Sequence, residues 1–180
     1  MLFFTIVIFL GDAMAKLNIS AIAVLDQENR LVRGADGLPG RTKRERRWFK
    51  RLVRGHAVIM GKSTYEQMAT CELVPPYKAK TFVLSQERKY VAPGCIVVHK
   101  IGQAALALKQ SGKPKQLFVI GGTSLYKKMW QYIDRLYLLT AGEEVTGGAE
   151  FLNYKKDFPK ILEKKKGKKR AFRVLEKEKA

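Results

Sequence analysis

From Leu17 onward, apolar runs of strand length alternate with runs of helical period, and Gly, Pro or charge separates each from the next. Leu17–Leu25, His56–Met60, Lys80–Ser85, Ile96–Val98, Gln116–Ile120, Arg135–Ala141 and Ala171–Glu176 read as strands. Thr42–Val53, Ser63–Ala69, Gly102–Gln110 and Thr123–Tyr132 read as helices, Asp26–Gly40 as a long loop, and Lys164–Arg170 as a solvated hairpin loop. A chain that alternates in this way must pair its strands across the helices. The expectation is an α/β fold: a single three-layer domain over residues 15–180, with a central, mostly parallel mixed sheet covered by helices on both faces.

At 180 residues and 46% hydrophobic content, the chain is long enough and apolar enough for one real core, which excludes a disordered segment. Its formal charge of +19 is unevenly placed. Residues 41–54 carry eight basic residues and one acid, and residues 155–180 carry twelve against four. Two such clusters suit phosphates, yet neither has interleaved aromatics free to stack on bases, so no specific nucleic-acid partner is expected. Cys71 and Cys95 make no disulfide framework, and with only His56 and His99 there is no zinc spacing and no metal site. A reducing cytoplasm is the expected compartment.

The Leu2–Leu10 run is too short to span a bilayer and has no charged lead-in, so no membrane partner is expected. Ala13-Met14-Ala15 has the form of a small-residue cleavage site, which leaves a signal peptide open beside an extension upstream of a natural start at Met14. Residues 1–14 are therefore left out of the fold.

Three places could carry chemistry. Glu45 is followed at three, four and seven positions by Trp48, Phe49 and Leu52, so a lone acid shares the apolar face of its helix while Arg44, Arg46, Arg47 and Arg51 occupy the others. It is either a first-turn residue favoured by the helix dipole or a neighbouring Arg, or a carboxylate at the floor of a cleft. The second place is Val58 to Thr64, where a strand meets Gly61 and a helix opening with Lys62, Ser63 and Thr64. Free N–H groups at that junction suit a phosphate, with a plain Ser63 helix cap as the alternative. A nucleotide-triphosphatase loop is excluded, because five strand-like residues, not four loop residues, separate Gly55 from Gly61. The third is Phe118 to Tyr126, where the Gly121-Gly122 pair lets backbone approach a ligand that any Cβ would obstruct. Two strand–Gly–helix junctions in one small α/β domain fit a dinucleotide at the carboxyl ends of the strands.

In order and spacing, these elements resemble the dihydrofolate reductase family. The resemblance rests on Ile19–Leu25, Leu38-Pro39, an acid before Trp48-Phe49-Lys50, His56 to Glu66, Val119-Ile120-Gly121-Gly122, and Leu136-Tyr137-Leu138 with Phe151 beyond. It implies reduction of 7,8-dihydrofolate to tetrahydrofolate by hydride from NADPH. By that resemblance Glu45 is the catalytic carboxylate holding the pterin. Substrate contacts fall on Ile22, Val24, Leu38, Glu45 and Phe49, with Thr140 as the nearest hydroxyl to a supporting threonine. Cofactor contacts fall on Ala23, Gly34, Gly61, Lys62, Ser63, Thr64, Ser85, Ile120, Gly121, Gly122, Thr123, Ser124, Leu125 and Tyr126. The partner implied is a small-molecule substrate, met by a monomer.

The departures cluster on the substrate side. Gly40 stands where the family has Trp after Leu-Pro, Arg46 stands where an apolar residue is common, and Tyr77-Lys78-Ala79-Lys80 lacks the Arg that clamps the folate carboxylate. Leu139 stands at the supporting threonine, with Thr140 one residue later and so on the opposite face of a strand. These departures keep a second reductase of the same fold in view: the riboflavin-pathway enzyme that reduces a ribosylaminopyrimidine phosphate with NADPH.

Overall fold

The computed structural model describes residues 17–72, 79–110, 116–141, 148–166 and 170–178. Its strands are β1 (Asn18–Leu25), β2 (Ala57–Gly61), β3 (Lys80–Leu84), β4 (Ile96–Val98), β5 (Gln116–Val119), β6 (Arg135–Thr140), β7 (Lys160–Lys166) and β8 (Ala171–Glu176). The helices are α1 (Lys43–Val53), α2 (Lys62–Ala69), α3 (Ile101–Gln110) and α4 (Thr123–Met129), the last continuing into a 3-10 turn over Trp130–Tyr132. All eight strands join one sheet in the order β4-β3-β2-β5-β1-β6-β8-β7. Pairing is parallel from β4 to β6 and antiparallel for β6–β8 and β8–β7. The expected mixed, mostly parallel sheet is what forms.

Strand residues alternate between two apolar layers, as a sheet covered on both faces requires. Ile19, Ala21, Ala23 and Leu25 of β1 pack with α3 and α4 through Ala104, Leu108, Leu125 and Met129. Ile22 and Val24 face the other way, against α1 and α2 through Phe49, Val53, Tyr65 and Met68. One hydrogen bond ties a helix of the first layer to the central strand: the Tyr126 hydroxyl donates to the Ile22 carbonyl at 2.7 Å, with no exposure of the side chain.

One expectation is corrected. Lys164–Lys166 belong to β7, not to a solvated loop, because Lys164, Lys165 and Lys166 pair with Arg173, Phe172 and Ala171 of β8. The edge strand keeps its lysines in water on an open side, where charge discourages further pairing. Residues 1–14, Tyr77 and Lys78 lie outside the described residues.

Burial holds the Tyr126 phenol protonated up to about pH 12, whereas the unfolded chain releases it near 10. Between these values the unfolded state binds fewer protons, so folding stability falls as pH rises. Tyr126→Phe is expected to cost about 1–2 kcal/mol at neutral pH in urea unfolding and to flatten this alkaline loss; a variant as stable and as pH-sensitive as the parent would contradict the assignment.

Candidate active site

The connections from β1 and β5 leave in opposite directions: β1 feeds α1 and then β2 on one side of β5, while β5 feeds α4 and then β6 on the far side of β1. Adjacent parallel strands whose crossovers diverge leave a crevice beyond their carboxyl ends. An open cleft of about 640 Å³ lies there, lined among others by Arg33, Gly34, Arg41, Arg46, Gly122 and Thr123.

Glu45 sits at the start of α1 and is 1% exposed. Thr42 caps the helix. Its hydroxyl accepts from the Glu45 N–H at 3.3 Å, while Glu45 Oε2 accepts from the N–H groups of Thr42 at 2.9 Å and Arg41 at 2.8 Å. This is a capping box, in which side chain and backbone satisfy each other; the Thr-x-x-Glu spacing at 42–45 is its sequence signal. The remaining oxygen, Oε1, lies 3.3 Å from Arg170 Nε. The arginines of α1 do not supply this charge, and Arg46 turns instead to Asp36.

Gly40 explains itself in this setting. Its φ is +87°, and a Cβ there would stand 2.5 Å from the Glu45 Cβ. The acid folds back over a position where an indole could not fit.

Ile22, Val24, Leu38 and Phe49 pack together in the layer of α1 and α2. Thr140 does not join them. It pairs with Leu25 in β6, and its hydroxyl accepts from Arg173 Nη2 at 3.4 Å, whereas Leu139 faces the α1 layer. The β-strand period of two separates them, so Thr140 cannot support Glu45. Ala79 is buried and Lys80 stacks over Phe82 at 5.9 Å, so neither offers a guanidinium fork.

The glycine junctions converge. The Gly61 N–H donates to the Gly121 carbonyl at 2.9 Å, and Ile120 N–H to Ile59 at 3.1 Å, which brings the ends of β2 and β5 side by side. A Cβ on Gly61 would lie 3.7 Å from the Gly122 nitrogen. Gly61 and Gly122 are the N-caps of α2 and α4 and provide no side-chain cap; in α4 the Leu125 N–H already donates to the Gly122 carbonyl at 3.0 Å, which leaves the N–H groups of Thr123 and Ser124 to face an anion. Ser63 is the second residue of α2, so it does not cap it. Ala23 faces the α4 layer with Leu125 and Tyr126. Gly34 lines the cleft, and a Cβ there would meet the Asp36 carboxylate at 2.4 Å.

Lys62 is less free than its sequence position suggests. It pairs with Glu87 at 2.5 Å and Glu66 at 3.6 Å and lies over the Tyr90 ring. The Glu87 carboxylate beside it raises the ammonium above its ordinary range. Ser85 is buried, with its hydroxyl accepting from the Glu87 N–H at 3.2 Å. Sequence reasoning missed Arg33, which donates to the carbonyls of Gly37 and Ile120, both at 2.7 Å, and covers Gly121. The available signal was an arginine between buried Val32 and Gly34 in an otherwise glycine-rich loop. Among the described residues no group of His, Cys, Asp and Glu could hold a metal, and no helix is long and apolar enough to cross a membrane.

The dihydrofolate reductase family profile matches residues 18–176. The chain belongs to the dihydrofolate reductase family. It is 30% identical over 151 residues to the dihydrofolate reductase of Bacillus subtilis, covering 84% of this chain and 85% of that one. It is 31% identical over 137 residues to dihydrofolate reductase type 3 of Salmonella typhimurium, covering 76% and 79%. In fold it is similar to the Enterococcus faecalis dihydrofolate reductase complexed with NADP(H) and RAB-propyl, with TM-score 0.72, 18% identity and coverage of 90% and 97%. The matched family is the folate enzyme's, which decides between the two reductases, and its members are NADPH-dependent oxidoreductases.

Gly40→Ala tests the packing under Glu45. Positive φ and the collision with a side-chain Cβ together are expected to cost about 1–3 kcal/mol, measured by denaturant midpoint; a midpoint unchanged from the parent would mean that the loop has room for a methyl group.

Proposed function

We propose that this dihydrofolate reductase binds the pterin against Glu45 and NADPH along the ends of β1, β2 and β5, and that it acts as a cytoplasmic monomer. The observation that carries the reading is Glu45 itself: a carboxylate removed from water, on an apolar helix face, with one oxygen held by two backbone N–H groups. Such fixing sets the position of the second oxygen, which can accept from a ring amino or N–H group once Arg170 yields it. Ile22, Val24, Leu38 and Phe49 supply the apolar walls that keep a planar ring in register and exclude water.

The strand-end junctions fit the cofactor. Gly61, Gly121 and Gly122 form a backbone surface without side chains, continued by the Ile120 backbone, and Ser63, Thr64, Thr123, Ser124 and Leu125 open the two uncapped helices beside it. Ala23, Gly34 and Tyr126 border the nicotinamide end, and Lys62 with Ser85 the adenosine end, where Lys62 exchanges Glu87 for a 2′-phosphate. NADPH, when bound, supplies the hydride; the protein's part is to orient the two planes and shield them. Arg33 covers Gly121 and must shift for a pyrophosphate to settle on it, which brings its guanidinium onto the anion.

The test is steady-state NADPH oxidation with dihydrofolate, beside Glu45→Gln. We expect kcat/KM to fall by about 10²-fold or more while the Kd for NADPH stays within about twofold. Turnover retained in the variant would remove Glu45 from the reaction, and a kcat/KM equal for NADH and NADPH would remove Lys62 from cofactor choice.

A further inference from the structure

A second cavity, of about 660 Å³, lies between α1 and the β7–β8 hairpin and shares no lining residue with the strand-end cleft. Its apolar wall is Trp48 and Phe172, edge to face with ring centroids 5.6 Å apart, together with Leu52 and Leu139. Its rim is cationic. Arg44 and Arg51, seven residues apart and so on one side of α1, face Lys165, Lys166 and Arg170. Glu163 is the one acid in the lining, and it pairs with Lys165 at 2.7 Å. Arg44, Arg51 and Lys166 have no carboxylate partner among the described residues.

Five cations against one acid around an apolar pocket repel one another across it, and the field inside favours a negative guest. A second observation points the same way. Trp48 is 8% exposed and lines the wall, and its indole N–H has no acceptor among the described residues. Arg170 Nε is likewise buried and, though 3.3 Å from Glu45 Oε1, makes no aligned hydrogen bond. Buried donors without acceptors cost free energy that an anionic oxygen in the cavity would recover. The volume is that of a small-molecule site.

We propose that this cavity is an anion-binding site that takes the phosphate or carboxylate groups of a small ligand whose apolar or aromatic body lies against Trp48 and Phe172. The ligand's oxyanions meet guanidinium and ammonium groups from both walls, and one of them accepts from the Trp48 indole. Binding here does not depend on the reductase reading, because it is measured without turnover.

Tripolyphosphate, titrated calorimetrically into the full chain at about 0.15 M salt with and without saturating NADPH, is the probe. One equivalent should bind under both conditions. The double variant Arg51→Gln/Lys166→Gln should weaken it about tenfold or more, whereas Lys127→Gln/Lys128→Gln, which removes the same charge from α4, should leave it within about twofold. Equal weakening by both variants would reduce the effect to diffuse charge, and displacement by NADPH would put the probe in the strand-end cleft; either result overturns the proposal. Turnover then separates the two sources of anion. A KM increase in Arg51→Gln/Lys166→Gln for dihydrofolate, but not for a dihydropterin lacking the carboxylate tail, assigns the site to the substrate's own carboxylates. Unchanged KM for both assigns it to a separate phosphate-bearing ligand, and both results keep the anion site.

Discussion

The site depends on one constraint, the parallel pairing of β1 on both of its sides. With β5 on one side and β6 on the other, β1 has no free edge, and its side chains must be apolar on both faces. The two faces are nonetheless unlike. Toward α4 it presents Ala21 and Ala23, small enough for a helix to come within hydrogen-bond reach of the strand's own backbone, which is what the Tyr126–Ile22 contact requires. Toward α1 it presents Ile22 and Val24, which pack with Phe49, the residue one turn beyond Glu45 on α1. The glycine junctions and the carboxylate are thereby arranged about one strand. Their relative positions are set by sheet geometry more than by loops.

Charge is organised by where the chain's two basic stretches meet. The first stretch contains α1 (Lys43–Val53) and the second contains β7 (Lys160–Lys166) and β8 (Ala171–Glu176), so the stretches that carry most of the excess charge supply the two walls of one cavity. Three arginines bridge separate segments around the site: Arg33 from the long loop to the end of β5, Arg46 from α1 to Asp36, and Arg170 from the hairpin to Glu45. These are cross-links of the site rather than decoration of its surface.

Alternation of strand and helix was sufficient to place the seven strands and four helices read from the sequence, because apolar period is a property of each segment alone. The β7 strand was hidden because an edge strand rich in lysine has no apolar alternation to betray it, and it is held by its pairing to β8. The glycine junctions were legible for the same local reason, as backbone that must lack a Cβ. Partners were not. That Lys62 faces Glu87, that Arg33 lies over Gly121, and that Arg170 reaches Glu45 across 125 positions of sequence are facts of tertiary packing, and no spacing rule encodes them. The capping box was legible and passed over. The two readings weighed for Glu45, helix-start residue and buried acid, are compatible, since one oxygen serves each role.

The departures at Gly40 and Leu139 belong together. A glutamate at the third helical position can reach back to the cap only if the residue before Arg41 leaves room for its Cβ and adopts positive φ, and Gly40 does both. Leu139 removes a hydroxyl from the sheet side of the carboxylate but adds apolar surface to the cavity wall, where it packs in the same layer as Trp48. Support for Oε1 then comes from Arg170, which is carried on the hairpin and not on the sheet. The position of that guanidinium is fixed by how the hairpin docks on α1, and the contact that docks it is Phe172 against Trp48. An apolar pair three residues along the helix thus governs the electrostatic environment of the acid.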